Sequence, residues 1–278
     1  MSDPQQPRRA PAANAFAWLS QSMVLLRLQT ARLLLLALLM QLVLGLTQLP
    51  LVGLLVVLSV PGLTAGILEA FHVTAQGARP ELKLLFKPLA SGRHAGRMFA
   101  MGALVFAVGV LCISAMLSGS EQLTDPALLE RIEQGDIDAM AALDQESLGR
   151  MVMAFMAGVA ISGTLSYFAV PLIWFRDRKF ADSLGAGLKG LLVNWRPFTL
   201  LGLGLMLLFL PVALVSGLLF GMVSAGGLAS TLVMGLIMVL LLLFQLMLFG
   251  TQYCAFRDIF GVPAAAGQAP PDDSQLVA

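Results

Sequence analysis

The feature that most constrains the fold of this chain is the length of its uncharged apolar runs. Residues 33–68 contain no charged side chain, and neither do residues 197–256. A helix needs roughly 20 apolar residues to cross about 30 Å of hydrocarbon, so each of these runs is long enough to cross twice. Residues 98–120 and 151–175 are each long enough to cross once. The sequence therefore predicts six membrane-spanning helices.

Both long runs contain a natural turn. In the first, Thr47-Gln48-Leu49-Pro50 ends a helix, because proline lacks an N–H donor and disfavours helical backbone in the residue before it. In the second, Ser224-Ala225-Gly226-Gly227 is the glycine-rich break. The Pro-rich ends, 1–15 and 262–278, are expected to be disordered tails. The transmembrane domain is predicted over 16–261, with spans at about 33–49, 51–74, 98–118, 151–175, 198–222 and 229–254.

Charges are sorted between the two sides of these spans. Of the 17 Lys and Arg residues, 15 lie at the N-terminus, in 79–97, in 176–196 or at Arg257, which six spans place on one side. The segment 118–150 on the other side holds 8 of the 16 acids. Because Lys and Arg concentrate in cytoplasmic loops, we expect a multi-pass protein of a bacterial inner (cytoplasmic) membrane. Both termini are then cytoplasmic and the acidic loop 119–150 is periplasmic.

An apolar stripe at helical spacing precedes each of the three predicted hairpins. Such stripes are typical of amphipathic helices that lie in the membrane interface. The predicted fold class is therefore all-α, a polytopic membrane protein with six transmembrane helices in three hairpin repeats and cytoplasmic interfacial amphipathic helices. The stripes comprise Phe16, Leu19, Met23 and Leu26; Leu82, Leu85, Phe86 and Leu89, with Pro88 expected to break that helix; and Leu184, Leu188, Leu191, Leu192 and Trp195.

The inner ends of the even-numbered spans carry a recurring motif. Phe175-Arg176-Asp177 and Phe256-Arg257-Asp258 repeat one triplet, and Ala70-Phe71-His72 keeps its phenylalanine. Recurrence at the same point of successive units favours an internal repeat.

With Leu49-Pro50-Leu51-Val52-Gly53 and Pro61-Gly62-Leu63-Thr64-Ala65-Gly66, these span ends resemble an uncharacterised proteobacterial family of six-span inner-membrane proteins. More distantly, the chain is similar to the membrane domains attached to some bacterial glycerophosphodiester phosphodiesterases. The catalytic domain of those enzymes is absent from this sequence, so the resemblance implies a bacterial inner membrane and no activity.

The candidate functional face lies on the second span. Gly62, Gly66, Glu69, His72 and Gln76 follow helical spacing. The pair Gly62-x-x-x-Gly66 allows close helix approach, so Glu69 and His72 are expected to point into the bundle. Ionisable groups within a span are costly and often functional, so Glu69 and His72 form either a proton-coupled or ligand-contacting pair or a structural ion pair. For the second interpretation, the expected partners belong to the inner rim, namely Arg176, Asp177, Arg257 and Asp258.

The remaining residue types offer no other chemistry. Cys112 and Cys254 fall in opposite leaflets, too far apart for a disulfide, and His72 and His94 are too few for a zinc cluster. The sequence has no phosphate loop and no nucleophile motif, so we expect no enzyme activity, no cofactor, no metal and no nucleic-acid partner. The expected function is a non-enzymatic membrane-organising or envelope-homeostasis component, whose partners are membrane lipids, a second copy of the chain or another membrane protein. The alternative is a small transporter or channel subunit that uses the polar Glu69/His72 face.

The predicted orientation is tested by reporter fusions. Alkaline phosphatase fused after residue 278 should be inactive, because that enzyme requires the periplasm, whereas an insertion in 119–150 should be active. Green fluorescent protein at the same two sites should give the opposite pattern, and an active phosphatase at residue 278 would contradict the topology.

Overall fold

In a computed structural model, residues 6–118, 125–134, 136, 144–223 and 227–262 are described, and all their regular structure is helical. Six helices are long and apolar enough to cross a membrane, which confirms the predicted number. The described helices are α1 (Asn14–Leu28), α2 (Thr30–Gly45), α3 (Pro50–Ala75), α4 (Lys87–Ala90), α5 (Gly92–Leu117), α6 (Pro126–Glu133), α7 (Gln145–Arg176), α8 (Phe180–Val193), α9 (Trp195–Val223) and α10 (Gly227–Phe260). The six that can cross a membrane are α2 with its following turn, α3, α5, α7, α9 and α10.

The first two spans join where the sequence predicts a break. A 3-10 turn at Leu46–Gln48 follows α2, Leu49 is extended, and Pro50 occupies the first turn of α3. The turn expected at 224–227 lies, apart from Gly227, outside the described residues, as do residues 1–5, 263–278 and most of the acidic loop. Within that loop, Asp125 is the N-cap of α6, because its carboxylate accepts a hydrogen bond from the backbone N–H of Ala127.

The buried core lies at the end of the bundle where α3, α7 and α10 finish, and this end is called the inner end. The largest fully buried side chains include Trp18, Phe71, Phe168, Tyr253 and Phe256, all on α1 or near the inner ends of α3, α7 and α10. Towards the other end the helices leave their apolar side chains exposed, as at Leu51, Leu111, Met153, Leu218 and Leu232. Lipid can cover these surfaces, so burial within the protein is needed only where polar groups cluster.

The segment that follows α3 folds back onto it. A 3-10 turn at Leu82–Leu85 and the short α4 cross α3 at Gly62 and Gly66. A Cβ atom on Gly66 would lie 2.6 Å from the Cα of Leu85, so only glycine fits. The close approach predicted at these glycines is therefore made by the 82–90 segment rather than by another spanning helix. Pro88 lies in the first turn of α4, where its missing N–H is tolerated, rather than ending a longer helix.

Helices α1 and α8 pack onto the bundle mainly through positions beside their predicted apolar stripes, of which Leu26, Leu184 and Leu191 are partly buried against the core. The buried positions are Ala15, Trp18, Ser22 and Leu25 on α1, and Ser183, Gly187 and Gly190 on α8. Phe16, Leu192 and Trp195 of the predicted stripes are instead 59%, 73% and 59% exposed. The physical reason is close backbone approach, since Ser22 donates a hydrogen bond to the carbonyl of Met247 in α10.

Part of the segment expected to be disordered is held in place. The backbone N–H of Arg8 donates to the carbonyl of Ile259 in α10. Asn194, 1% exposed, receives the N–H of Ala10 and donates to the carbonyl of Arg8. These bonds hold the part of the 1–15 segment from Arg8 onwards against the bundle, because one buried amide satisfies the polar groups of its irregular backbone.

A side chain also replaces the backbone hydrogen bond that Pro171 removes from α7. Pro171 has no N–H, so the carbonyl of Tyr167, four residues earlier, loses its helical partner. The side-chain amide of Gln252 in α10 donates to that carbonyl at 2.6 Å. This hydrogen bond joins α7 to α10.

The close approach at Gly66 predicts a large effect of a modest substitution. Gly66→Val should lower the stability of the purified protein by about 1–3 kcal/mol, because the added carbons collide with backbone atoms. Gly202→Val is the matched control, since a Cβ there meets nothing within 4 Å. Thermal unfolding in detergent micelles measures both, and equal stability of the two variants would contradict the packing described.

Candidate functional site

Glu69 is buried near the inner end of α3 with both carboxylate oxygens occupied. The residue is 8% exposed. Oε1 accepts a hydrogen bond from Nζ of Lys87 at 2.5 Å, and Oε2 accepts one from Nε1 of Trp174 at 2.9 Å. Charge-assisted bonds of this kind are roughly twice as strong as neutral ones. The carboxylate thus joins α3 to α4 and to α7.

The three groups form a closed triangle. The Lys87 ammonium lies 5.6 Å from the ring centroid of Trp174, within the range of a cation–π contact. Lys87 reaches Glu69 because the 82–90 segment crosses α3 one turn before it, at Gly66. Trp174 reaches it from the inner end of α7. The side chain of Lys87 is 51% exposed and that of Glu69 only 11% exposed, so the ion pair is open to water on the lysine side.

His72, one turn further along α3, is part of a separate hydrogen-bonded chain. Its Nδ1 lies 3.0 Å from the Tyr253 hydroxyl and its Nε2 lies 2.8 Å from the Gln76 amide nitrogen. An amide nitrogen can only donate, so Nε2 accepts from Gln76 and Nδ1 carries the proton that is donated to Tyr253. Phe175 packs edge-on against the imidazole ring, with centroids 5.4 Å apart. Both nitrogens of His72 therefore have partners.

The polar face predicted on α3 is present, but its cation is not one of the two arginines expected. Arg176 donates to the backbone carbonyls of Phe260 and Gly261, just beyond the last helical turn of α10. Arg257 donates to Oε1 of Gln21 and lies over the ring of Tyr253. Both arginines are therefore occupied by other groups. Glu69 does form an ion pair, with Lys87 in place of Arg176 or Arg257.

The two aspartates of the Phe-Arg-Asp triplets tie span ends to neighbouring elements. Asp177 accepts from Arg97 at 2.7 Å and from Arg93 at 3.0 Å, which links the end of α7 to the start of α5. These hydrogen bonds, that of Arg97 first, hold the pKa of Asp177 below its ordinary value. Asp258 accepts from the side chains of Asn14 and Trp18, which links α10 to α1. The triplet phenylalanines, Phe175 and Phe256, stack with centroids 5.6 Å apart.

This arrangement provides cross-links between elements rather than an open reaction site. Five cavities found in the described part of the chain are lined by other residues, and neither Glu69 nor His72 lines any of these five. Within the described ranges, no three His, Cys, Asp or Glu side chains are placed to hold a metal ion. Cys112 and Cys254 are both free thiols.

Sequence reasoning missed the three partners that complete the site. Lys87 falls among the loop cations of 79–97, and neither Trp174 nor Tyr253 belongs to the polar face predicted on α3. The available signal was Gly66, because a glycine needed for close approach one turn before Glu69 implies that the approaching segment carries its partner.

Comparison of the chain with protein-family models, with curated protein sequences and with solved structures gave no significant match. The family resemblance described from the sequence therefore stays an expectation.

The geometry of the ion pair predicts an asymmetry between its two single variants. Lys87→Met should lower stability by about 1–3 kcal/mol, because it leaves a buried carboxylate without its cation. Glu69→Gln should cost less, since the lysine it leaves behind is half exposed to water. The double variant should recover part of the loss.

Lys83→Met is the control for this series. It removes an exposed pair with Glu81, whose side chains are 78% and 60% exposed, and should change little. Thermal unfolding in micelles of all four proteins makes the comparison. A Lys87→Met protein as stable as Lys83→Met would mean that the pair contributes nothing.

Proposed function

We propose that this protein is a non-enzymatic, multi-pass component of a bacterial inner membrane that organises the membrane and supports envelope homeostasis. The observation that carries the proposal is that the polar groups of Glu69 and His72 on α3 already have hydrogen-bond partners within the protein. Each oxygen of Glu69 and each ring nitrogen of His72 is bonded to another side chain of the same chain. Groups so occupied hold helices together and leave no free group for a substrate.

The distribution of exposed surface supports lipid as the main partner. In five of the six spans a third or less of the most apolar stretch is buried, and in α9 only 6% is buried; α3, at 56%, is the exception. The exposed stripe residues on α1 and α8 lie beside basic side chains at the same end of the bundle. Amphipathic segments of this kind bind the inner leaflet through apolar area and through attraction to anionic headgroups.

The remaining features of the proposal follow from charge sorting. The basic segments and both termini belong on the cytoplasmic side, α6 and the acidic loop on the periplasmic side, and the hairpins form three related units. A face as exposed as that of α9 also suits self-association or a second membrane protein.

A neutral replacement of the ion pair separates this function from transport. A deletion strain should become sensitive to detergent and show an altered lipid profile. Glu69→Gln/Lys87→Gln keeps hydrogen-bonding groups in place and removes both charges, so it should restore resistance at wild-type abundance.

The control for this experiment is Glu81→Gln/Lys83→Gln, which neutralises the exposed pair. Abundance is measured by immunoblot beside each complementation. If the Glu69→Gln/Lys87→Gln protein is abundant yet fails to complement while the control succeeds, the ionisable pair itself acts. The alternative, a small transporter or channel subunit using Glu69 and His72, would then replace the proposal.

A further inference from the structure

A cavity of about 320 Å³ lies between two groups of spans, with α3, α5 and α7 on one side and α9 and α10 on the other. Its size is typical of sites for small ligands. Its walls are apolar and none of its lining residues is charged. Its polar residues are Thr64 on α3, Ser166 and Tyr167 on α7, and Thr251 and Gln252 on α10.

Two of the four polar residues on α7 and α10 retain hydrogen-bonding capacity. The hydroxyls of Ser166 and Thr251 donate to helical carbonyls, each at 2.7 Å. Gln252 uses its amide nitrogen on the carbonyl of Tyr167, which leaves Oε1 as an open acceptor in a residue only 7% exposed. The Tyr167 hydroxyl has no hydrogen-bond partner among the described residues. Unpaired polar groups surrounded by hydrocarbon are costly, so the pair favours a ligand that satisfies both.

The position of these groups restricts what that ligand can be. Tyr167 lies nine residues before Arg176, the end of α7, which is about 14 Å along the helix and near the middle of a hydrocarbon layer about 30 Å thick. With no charged residue in the lining, an ionised headgroup would be strongly disfavoured at this depth. Gln252 Oε1 requires a donor and the Tyr167 hydroxyl can supply one. A neutral hydroxyl, which donates and accepts, matches both.

A second cavity continues the first towards the outer end. It has a volume of about 500 Å³, lies between α5 and α7 beside α3, and shares Val105 with the first. Its residues on α7 run from Met151 to Ser162, and it too is lined without a charged residue. An alkyl chain that passes Val105 would lie in the groove between α5 and α7.

We propose that the two cavities form one binding site for a neutral long-chain lipid that carries a free hydroxyl. The hydroxyl binds between Tyr167 and Gln252, and the chain follows α7 towards the outer leaflet. The site is separate from the Glu69 face and stands whether or not the proposed function is correct.

Binding is measured on the full-length protein in nanodiscs of zwitterionic phosphatidylcholine. The probe is hexadecanol with a photoreactive diazirine near its chain end, and cross-linked residues are mapped by mass spectrometry. Cross-links should fall on α5 and α7 between the two cavities and the outer end. Unlabelled hexadecanol should compete about 2- to 10-fold better than hexadecyl methyl ether, the ratio expected for one net hydrogen bond, and hexadecane, which makes neither bond, should compete least. Equal competition by all three compounds would overturn the proposal, since the cavity would then hold lipid tails without selection.

Two variants locate the site. Tyr167→Phe removes only a hydroxyl without a protein partner, so the fold is kept while the preference for the ether over hexadecane, which depends on the Tyr167 donor, should disappear. Gly163→Leu fills the cavity from a position where a Cβ meets nothing within 4 Å, and it should abolish cross-linking. Gly202→Leu makes the same change on α9 outside both cavities and should leave labelling unchanged. Undiminished labelling and unaltered preference in both cavity variants would place the probe elsewhere and refute the assignment.

A further arm of the competition identifies the source of the hydroxyl. A 1,2-diacylglycerol that competes better than hexadecanol would assign the site to a glycerolipid. The reverse order would assign it to a single-chain alcohol.

Discussion

Hydrocarbon offers no hydrogen-bond partner, so each polar group that this chain places among its spans has to be satisfied within the protein or by a ligand. That constraint explains why the tight packing is confined to the inner end. Glu69, His72, Asn194 and Asp258 all lie there, and each is bonded by side chains or backbone from another element. Some of these bonds come from α1, α4 and the segment from Arg8, which lie outside the six spans, and others come from Trp174 of α7 and Tyr253 of α10. The fold is therefore a lipid-exposed bundle held together by a hydrogen-bonded inner end.

Small residues make this inner end possible because each polar contact requires two backbones to approach. Gly66 admits the segment that carries Lys87 to Glu69, and Gly250 admits α1, which brings Trp18 to Asp258. Small residues also line the buried positions of α8, whereas α1 buries Trp18 and Leu25 beside Ala15 and Ser22. The apolar side chains that remain outside on both helices are stabilised by a membrane as well as by a protein core.

The number of spans, the break at Pro50 and the start of α6 could be predicted from the sequence, because each depends on local properties such as run length or a missing N–H. The burial of Glu69 also followed from its spacing relative to Gly62 and Gly66. The partner did not, because 18 positions separate Lys87 from Glu69 and a loop conformation had to be known first. The order of the segment from Arg8 depends on Asn194, which lies still further along the chain.

The contrast between the two polar clusters bears on where a ligand binds. At the inner end each candidate group has a protein partner, so a substrate would have to break existing bonds before making its own. Among the spans, the side-chain nitrogen of Gln252 donates to the carbonyl that loses its partner at Pro171, and its side-chain oxygen stays open. Tyr167 lines the same cavity, and its hydroxyl has no hydrogen-bond partner in the described chain. A sequence search for ionisable residues leads to the first cluster because charge is conspicuous. Unsatisfied neutral groups at the depth of the hydrocarbon are the stronger indication of a binding site, since only a ligand can remove their cost.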